Sequence, residues 1–162
     1  YFGDGEWPGT QTSRLMEEHP VPVCSPALLE GQPALAPARI AELALLQQST
    51  RPYAWRQWFA SLELNVSRDL GGPRYELVSM LAQAAVHEMG LALIPPFLIQ
   101  RELREGSLVI ANAHELRSPK AYYLAVPERH RELAALRIFR DWLMQQAEDY
   151  HQPPPHPVRE SR

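Results

Sequence analysis

The sequence predicts an α/β fold with a parallel sheet, and the stretch 75–96 carries most of that prediction. Apolar side chains recur at helical spacing over 77–85, which predicts an amphipathic helix. Gly90 accepts a left-handed backbone and is the predicted end of this helix. Residues 91–94 form a continuous apolar run, as expected of a strand buried on both faces, and a Pro-Pro pair then opens another helix. A helix, a buried strand and a second helix in succession are typical of an α/β unit.

The other predicted elements follow from the same periodicities and from the positions of glycine and proline. Strands are predicted at 12–17, 21–24, 45–50, 107–111 and 120–127, with an edge segment at 74–76. Helices are predicted at 27–30, 38–43, 53–62, 97–105 and 128–148. The segment 151–162 is polar, rich in proline and without pattern, which predicts disorder.

The charge balance argues against a nucleic-acid-binding face in this chain. Its 162 residues include 19 acidic and 16 basic side chains, and the formal net charge is −3. Phosphate contacts need clustered Lys and Arg, and the chain has a single lysine, Lys120. No apolar run approaches the roughly 18 residues that a membrane span requires, so no membrane partner is expected.

The chain carries no motif that supports catalysis. Its one cysteine, Cys24, fits a reducing compartment and is interpreted as a small buried hydrophobe rather than a redox sensor. The Gly-Asp-Gly sequence at 3–5 is explained better by a turn than by a phosphate or metal loop. No histidines in a patterned segment stand at metal-ligand spacing. We therefore expect no catalytic residue, no cofactor and no metal, and an enzyme is not supported.

Two hydroxyl side chains follow the predicted parallel strand at 45–50. In open α/β sheets ligands bind outside the carboxyl ends of the strands, where Ser49 and Thr50 lie. The same residues could instead form an N-cap or a side-chain turn ahead of Arg51 and Pro52. The two interpretations are equally good at this point.

Several motifs in register resemble a known family. They are YFGDGEWPG at 1–9, VPVCSPALL at 21–29, WRQWF at 55–59, the helix–glycine–strand–proline stretch, AYYLAVP at 121–127 and FRDWL at 139–143. In this order they resemble the effector-binding domain of LysR-type transcriptional regulators. The branch is the one typified by the glycine-cleavage-operon activator and the β-lactamase-induction regulator. The resemblance runs from Tyr1 to about Ala147.

The resemblance implies a two-lobed α/β domain, similar to periplasmic binding proteins, in which lobe I is incomplete. Lobe I is expected at 1–25 and 113–150, lobe II at 26–112, and two strands are expected to cross between them near 21–25 and 107–122. The expected function is ligand sensing and oligomerisation in a cytoplasmic regulator that works as a homodimer or tetramer. DNA contact is expected only through an N-terminal domain that this sequence does not include. The alternative is a solute-binding protein of a transport system, which shares the two-lobed design.

Resemblance and strand-end geometry together give an expected effector site in the cleft between the lobes. It comprises Ser49, Thr50, Glu76 and Tyr122, with Gly3 near the mouth. Hydroxyls and a phenol suit a small polar ligand, and Glu76 favours one with an amino group, such as an amino acid or a peptide fragment.

The resemblance also implies two surfaces that need partners. The helix at 77–88 is expected to pack across a two-fold axis against a second subunit. The last helix is expected to present an apolar stripe that the incomplete lobe I sheet leaves partly uncovered: Leu133, Leu136, Phe139, Trp142 and Leu143.

Overall fold

The structure is a computed structural model that describes residues 1–130 and 133–150. The described chain divides into two compact units. The smaller unit comprises residues 1–18 and the described residues from 117 onward, and the larger unit comprises residues 19–116. The tail at 151–162, which the sequence predicts to be disordered, lies outside the described residues. Among the described helices, none combines the length and the apolar character that crossing a bilayer requires.

The larger unit is built on a five-stranded mixed sheet in the order β5-β4-β6-β3-β7. The strands are β3 Val21–Cys24, β4 Leu45–Gln48, β5 Arg74–Tyr75, β6 Leu91–Ile94 and β7 Val109–Ile110. β4 runs parallel to β5 and β6, whereas β3 runs antiparallel to β6 and β7. The predicted parallel sheet is therefore confirmed for β4, β5 and β6. β3 runs opposite to these strands, and β7, antiparallel to β3, shares their direction.

The helices of the larger unit cover both faces of this sheet. They are a 3-10 helix Pro26–Leu29, α1 Pro37–Glu42, α2 Ala54–Ala60, α3 Val78–Val86, a 3-10 helix Pro96–Leu98 and α4 Gln100–Glu105. Leu45 and Leu91 belong to the core cluster that contains the α2 aromatics, whereas Leu46 and Ala92 belong to the cluster on α3. Successive strand residues point to opposite faces, so β4 and β6 are buried on both sides, as the apolar run predicts for β6.

Gly90 has a different role from the predicted one. α3 ends at Val86, and the left-handed residue beyond it is Glu88, with φ of 62°. Gly90 has φ of 150°, and a Cβ there would lie 2.3 Å from the Ala44 carbonyl oxygen. The neighbouring Leu91 N–H donates to that oxygen at 2.8 Å. Gly90 is thus required where the chain enters β6 against the segment before β4, and the prediction that it ends the helix is wrong.

The smaller unit is a three-stranded antiparallel sheet with one long helix. Its strands are β1 Phe2–Gly3, β2 Thr10–Glu17 and β8 Ala121–Pro127, in the order β1-β8-β2. The register of β2 against β8 shifts between Arg14 and Met16. A 3-10 helix Glu128–His130 precedes α5, which spans Ala134–Asp149. The predicted single helix from 128 is therefore wrong at its beginning.

Several large apolar side chains are exposed, among them part of the stripe on the last helix that was expected to be partly uncovered. Leu133, Phe139 and Trp142 on and before α5 are 52%, 47% and 55% exposed, whereas Leu136 and Leu143 are half-buried. In the larger unit, Leu77 is 58% and Leu98 is 41% exposed. Leu98 lies in a 3-10 turn separated from α4 by Ile99, whose φ of −130° interrupts the predicted helix at 97–105. That break rotates Leu98 away from the core-facing stripe.

Candidate ligand-binding site

The larger unit brings three of the predicted site residues to one edge of its sheet. Gln48 is paired with Tyr75 in the parallel β4–β5 ladder, and the Ser49 N–H donates to the Tyr75 carbonyl at 2.9 Å. Ser49 and Thr50 therefore leave β4 beside the point where Glu76 leaves β5. All three side chains are exposed. Such adjoining carboxyl ends of parallel strands are where α/β sheets bind ligands.

The N-cap alternative for Ser49 and Thr50 is wrong. The N-cap position of α2 is Tyr53, and no side chain caps that helix. The Thr50 hydroxyl oxygen instead accepts from the Gln48 side-chain amide at 2.9 Å and from the Arg51 guanidinium at 3.4 Å. Contact of Thr50 with a ligand stays a prediction.

A buried amide anchors the backbone behind this edge. Gln47 is 1% exposed, and its side-chain N–H₂ donates to the carbonyls of Gly71 at 2.7 Å and Asp69 at 3.1 Å. These bonds tie the loop before β5 to β4, and they satisfy a polar group that would be costly to bury unpaired. The Trp55 indole N–H donates to the Leu46 carbonyl at 3.0 Å and fixes α2 against the same strand.

An ion pair adds a second link between α2 and that loop. Arg56 meets Asp69 in a two-point contact, with Nε to Oδ2 at 2.9 Å and Nη2 to Oδ1 at 3.0 Å. The Asp69 side chain is buried, whereas Arg56 is half-exposed. The hydrogen bond from Arg56 lowers the pKa of the Asp69 carboxyl below its usual range, against the opposing effect of desolvation. These contacts therefore hold the backbone at the carboxyl ends of β4 and β5 in place.

The other two predicted residues belong to the smaller unit, on neighbouring strands. Phe2 pairs with Tyr122 and Gly3 with Ala121 in the β1–β8 ladder. The Tyr122 hydroxyl donates to Glu18 Oε1 at 3.0 Å, and Glu18 is 2% exposed. The single phenolic proton is thus used within this unit.

Two polar residues that contact predicted site residues, Glu18 and Gln48, were not identified from the sequence. Glu18 follows β2 and precedes the buried β3, yet nothing in its neighbourhood along the chain identifies Tyr122 as its partner. Gln48 is a buried polar residue at the end of β4, and its polarity next to apolar strand residues was the available signal.

The chemistry of Cys24 agrees with its predicted role. The side chain is fully buried in the core cluster that contains the α2 aromatics, and desolvation raises the pKa of its thiol to about 11. Because the thiolate is the reactive form, this thiol is inert at neutral pH in the folded state. In the described part of the chain, no group of three or more His, Cys, Asp or Glu side chains could hold a metal ion.

A separate apolar hollow of about 420 Å³ lies along α3. Its walls include Tyr75, Met80, Gln83, His87 and Met89. Met80 and Met89 are 53% and 51% exposed. Exposed, clustered apolar groups of this kind are more typical of a contact surface than of a monomer's solvated face.

The family model described as the LysR substrate binding domain matches residues 1–148. The chain belongs to the LysR substrate-binding domain family. This confirms the resemblance drawn from the motifs, and with it the class of two-lobed α/β effector domain similar to periplasmic binding proteins. LysR membership also decides between the two classes that the sequence left open, in favour of the regulator and against the transport solute-binding protein.

Relatives of this chain are named as transcriptional regulators. The glycine cleavage system transcriptional activator of Escherichia coli (strain K12) is 34% identical over 148 residues, which are 91% of this chain and 48% of that protein. The HTH-type transcriptional activator AmpR of Citrobacter koseri is 30% identical over 146 residues, 90% of this chain and 49% of that protein. The chain thus spans about half the length of the curated relatives it matches.

Solved LysR structures agree in fold. The effector domain of the transcriptional regulator AmpR of Pseudomonas aeruginosa superposes with a TM-score of 0.78 at 26% identity, over 91% of this chain and 70% of that one. The AmpR effector binding domain of Citrobacter freundii gives a TM-score of 0.80 at 22% identity, over 91% and 72% of the two chains. The second likeness concerns the fold alone.

Proposed function

We propose that this chain is the effector-sensing part of a LysR-type transcriptional regulator. The match of the LysR substrate-binding domain over residues 1–148 carries the proposal. DNA is bound by a separate N-terminal domain of the same regulator, which works in the cytoplasm as a homodimer or tetramer. Effector binding favours one conformation of the sensing part, and the DNA-binding domains respond to that shift.

The effector binds at the carboxyl ends of β4 and β5. Support comes from the exposed hydroxyls of Ser49 and Thr50 beside the exposed carboxylate of Glu76, on strands braced by the Gln47 and Asp69 contacts. An ionised carboxylate only accepts hydrogen bonds, so Glu76 favours a ligand with an amino group. An amino acid or a peptide fragment meets this need. Contact of the effector with Tyr122 and Gly3, in the smaller unit, stays a prediction.

Subunits associate through the α3 surface. The hollow along this helix, with Met80, Met89 and Leu77 more than half exposed, presents an apolar area that a second copy of the chain would cover.

Sequencing the gene upstream of the codon for Tyr1 tests the class of protein. A winged helix-turn-helix encoded in the same reading frame is the expected result, and an export signal there would contradict the proposal. This observation is independent of any assumption about the effector.

A thermal-shift series with the twenty standard amino acids, one at a time, tests the effector site. At least one of them is expected to raise the melting temperature, because a ligand that binds only the folded state stabilises it. Glu76→Gln and Thr50→Ala should each lower the affinity for that amino acid by about tenfold, which corresponds to the loss of one or two hydrogen bonds. Glu105→Gln, an exposed carboxylate on α4, is the matched control. Shifts that survive both site variants would reject the assignment.

A further inference from the structure

We propose that Gln48 fixes the Thr50 hydroxyl as a hydrogen-bond donor toward the ligand, so that this position takes a carboxylate. Gln48 is then a positioning residue that sets the selectivity of the site without touching the ligand. The inference rests on the proposed effector site, which it deepens by naming the chemical group that each strand end recognises.

The hydrogen bonds that the Thr50 hydroxyl already accepts decide how it can meet a ligand. A hydroxyl has one proton to donate and two lone pairs that accept. The Gln48 amide nitrogen, at 2.9 Å, and the Arg51 guanidinium, at 3.4 Å, are groups that only donate. Together they fill the accepting capacity of the Thr50 oxygen. Within the described residues no hydrogen bond from the Thr50 hydroxyl to an acceptor is found, so its proton remains for a ligand oxygen.

Gln48 is held in place by burial and by the strand ladder. It is the last residue of β4, only 8% of it is exposed, and its backbone is held in register with Tyr75. A buried amide cannot exchange its hydrogen bond with Thr50 for one to water at little cost. The Thr50 hydroxyl, on an exposed turn, therefore takes its direction from a side chain that is itself fixed.

The neighbouring strand end supplies the opposite hydrogen-bonding group. Glu76 follows β5, about 4.8 Å from β4 as adjacent strands are, and an ionised carboxylate accepts without donating. A donor at Thr50 and an acceptor at Glu76, which follow two neighbouring strands, suit a ligand that carries both a carboxylate and an ammonium group. The ligand class is therefore a zwitterion, either a free α-amino acid or a peptide that carries both groups at one end.

Small probe molecules test the recognition of the carboxylate and of the ammonium group separately. Sodium acetate has only the carboxylate, and ethylammonium chloride has only the ammonium group. Each is titrated into the ¹⁵N-labelled chain, and affinity is read from amide shifts by NMR, which detects weak binding. Acetate is expected to move the Ser49 and Thr50 amides, and ethylammonium the Glu76 amide.

Two variants test the positioning role. Gln48→Met removes the amide at similar volume, and acetate affinity should fall about fivefold, as expected for one hydrogen bond, while ethylammonium affinity stays the same. Gln48→Glu accepts the Thr50 proton and adds negative charge, so the preference should reverse toward ethylammonium. Gln57→Met, an exposed glutamine on α2, is the matched control and should change neither affinity.

Each outcome decides a different question. Acetate affinity unchanged in Gln48→Met would overturn the positioning role alone and leave the site in place. Equal loss of both probes in Gln48→Met and in Gln48→Glu would show a merely structural role and would also overturn it. If neither probe binds the unmodified chain, the effector site fails and this inference fails with it.

Discussion

At the scale of single residues, Tyr122 has a structural contact as well as a predicted place in the ligand site. Its hydroxyl donates to the buried Glu18, and hydrogen bonds to charged groups are worth about 1.5–3 kcal/mol. Tyr122→Phe is therefore expected to lower the free energy of unfolding by about that amount, measured by urea denaturation. Tyr123→Phe, the adjacent residue on β8, should cost less than about 0.5 kcal/mol. Equal stability of the two variants would show that the bond to Glu18 contributes nothing.

The Arg56–Asp69 pair predicts a dependence of stability on pH. The pKa of Asp69 is lower in the folded chain than in the unfolded one, so the unfolded chain takes up a proton first as the pH falls. The stabilisation is complete above the ordinary aspartate pKa of about 4 and is lost as the pH falls through the lower folded value. The pair is partly screened by solvent, since Arg56 is half-exposed.

Arg56→Met tests this dependence. The variant should be less stable than the unmodified chain at pH 7. The difference should shrink below about pH 4, because Asp69 takes up a proton first in the unfolded chain and, at a lower pH, in the folded unmodified chain. Arg68→Met, an exposed arginine in the same loop, is the control and should show no such dependence. Urea denaturation at pH 7, 5 and 3.5 measures it. A difference that is constant across this range would mean that the contact acts through packing alone.

At the scale of elements, the loop before β5 approaches the backbone of β4 closely at Gly72. Gly72 has φ of 104°, and a Cβ on it would lie 2.2 Å from the Leu45 carbonyl oxygen. Gly72→Ala combines a left-handed conformation, about 1–2 kcal/mol, with a clash against rigid backbone, about 1–3 kcal/mol. We expect a loss of about 3 kcal/mol or more in the free energy of unfolding.

Gly106→Ala separates the two contributions. Gly106 ends α4 with φ of 73°, and a Cβ added to it would meet no other part of the described chain within 4 Å. Only the conformational cost of about 1–2 kcal/mol applies there. Thermal and urea unfolding of the two variants, side by side, make the comparison. If Gly72→Ala costs no more than Gly106→Ala, the approach of this loop to β4 is looser than the geometry indicates.

Burial on both faces made some elements predictable from the sequence. β6 is apolar at every position, and only a strand enclosed by two cores needs that pattern, so its bounds were predicted correctly at 91–94. Gly90 was misread because its requirement comes from Ala44, far away along the chain. The exposure of Phe139 and Trp142 was expected from the resemblance and not from the residues alone, since helical periodicity shows which residues share a face and not whether anything covers it.

The candidate site divides in the same way. Ser49 and Thr50 were found because polar residues that end an apolar strand are a local signal. Glu18 was missed because its partner Tyr122 is 104 positions away, and no local pattern joins them. Gln48 was missed because its effect on the Thr50 proton depends on the direction of the side chain, which spacing along the sequence does not give.

At the scale of the whole molecule, each unit carries an apolar surface of its own. The larger unit exposes Leu77, Met80 and Met89 around α3. The smaller unit exposes a group on and before α5, namely Leu133, Ile138, Phe139 and Trp142, of which Ile138 is 71% exposed. Covering a side chain of this size is worth about 1.5–3 kcal/mol, so both surfaces favour association with something else.

We therefore predict that a polypeptide of this sequence self-associates in solution at micromolar concentration. Met80→Lys should weaken association through the α3 surface and so lower the measured molar mass, because a second copy would have to bury the new charge unpaired. Ala60→Lys, on the exposed side of α2, is the matched control and should leave the mass unchanged. Size-exclusion chromatography with light scattering measures the mass, and a dilution series shows whether the association is reversible. A stable monomer that melts cooperatively would contradict the prediction, because it would mean that neither apolar surface needs a partner.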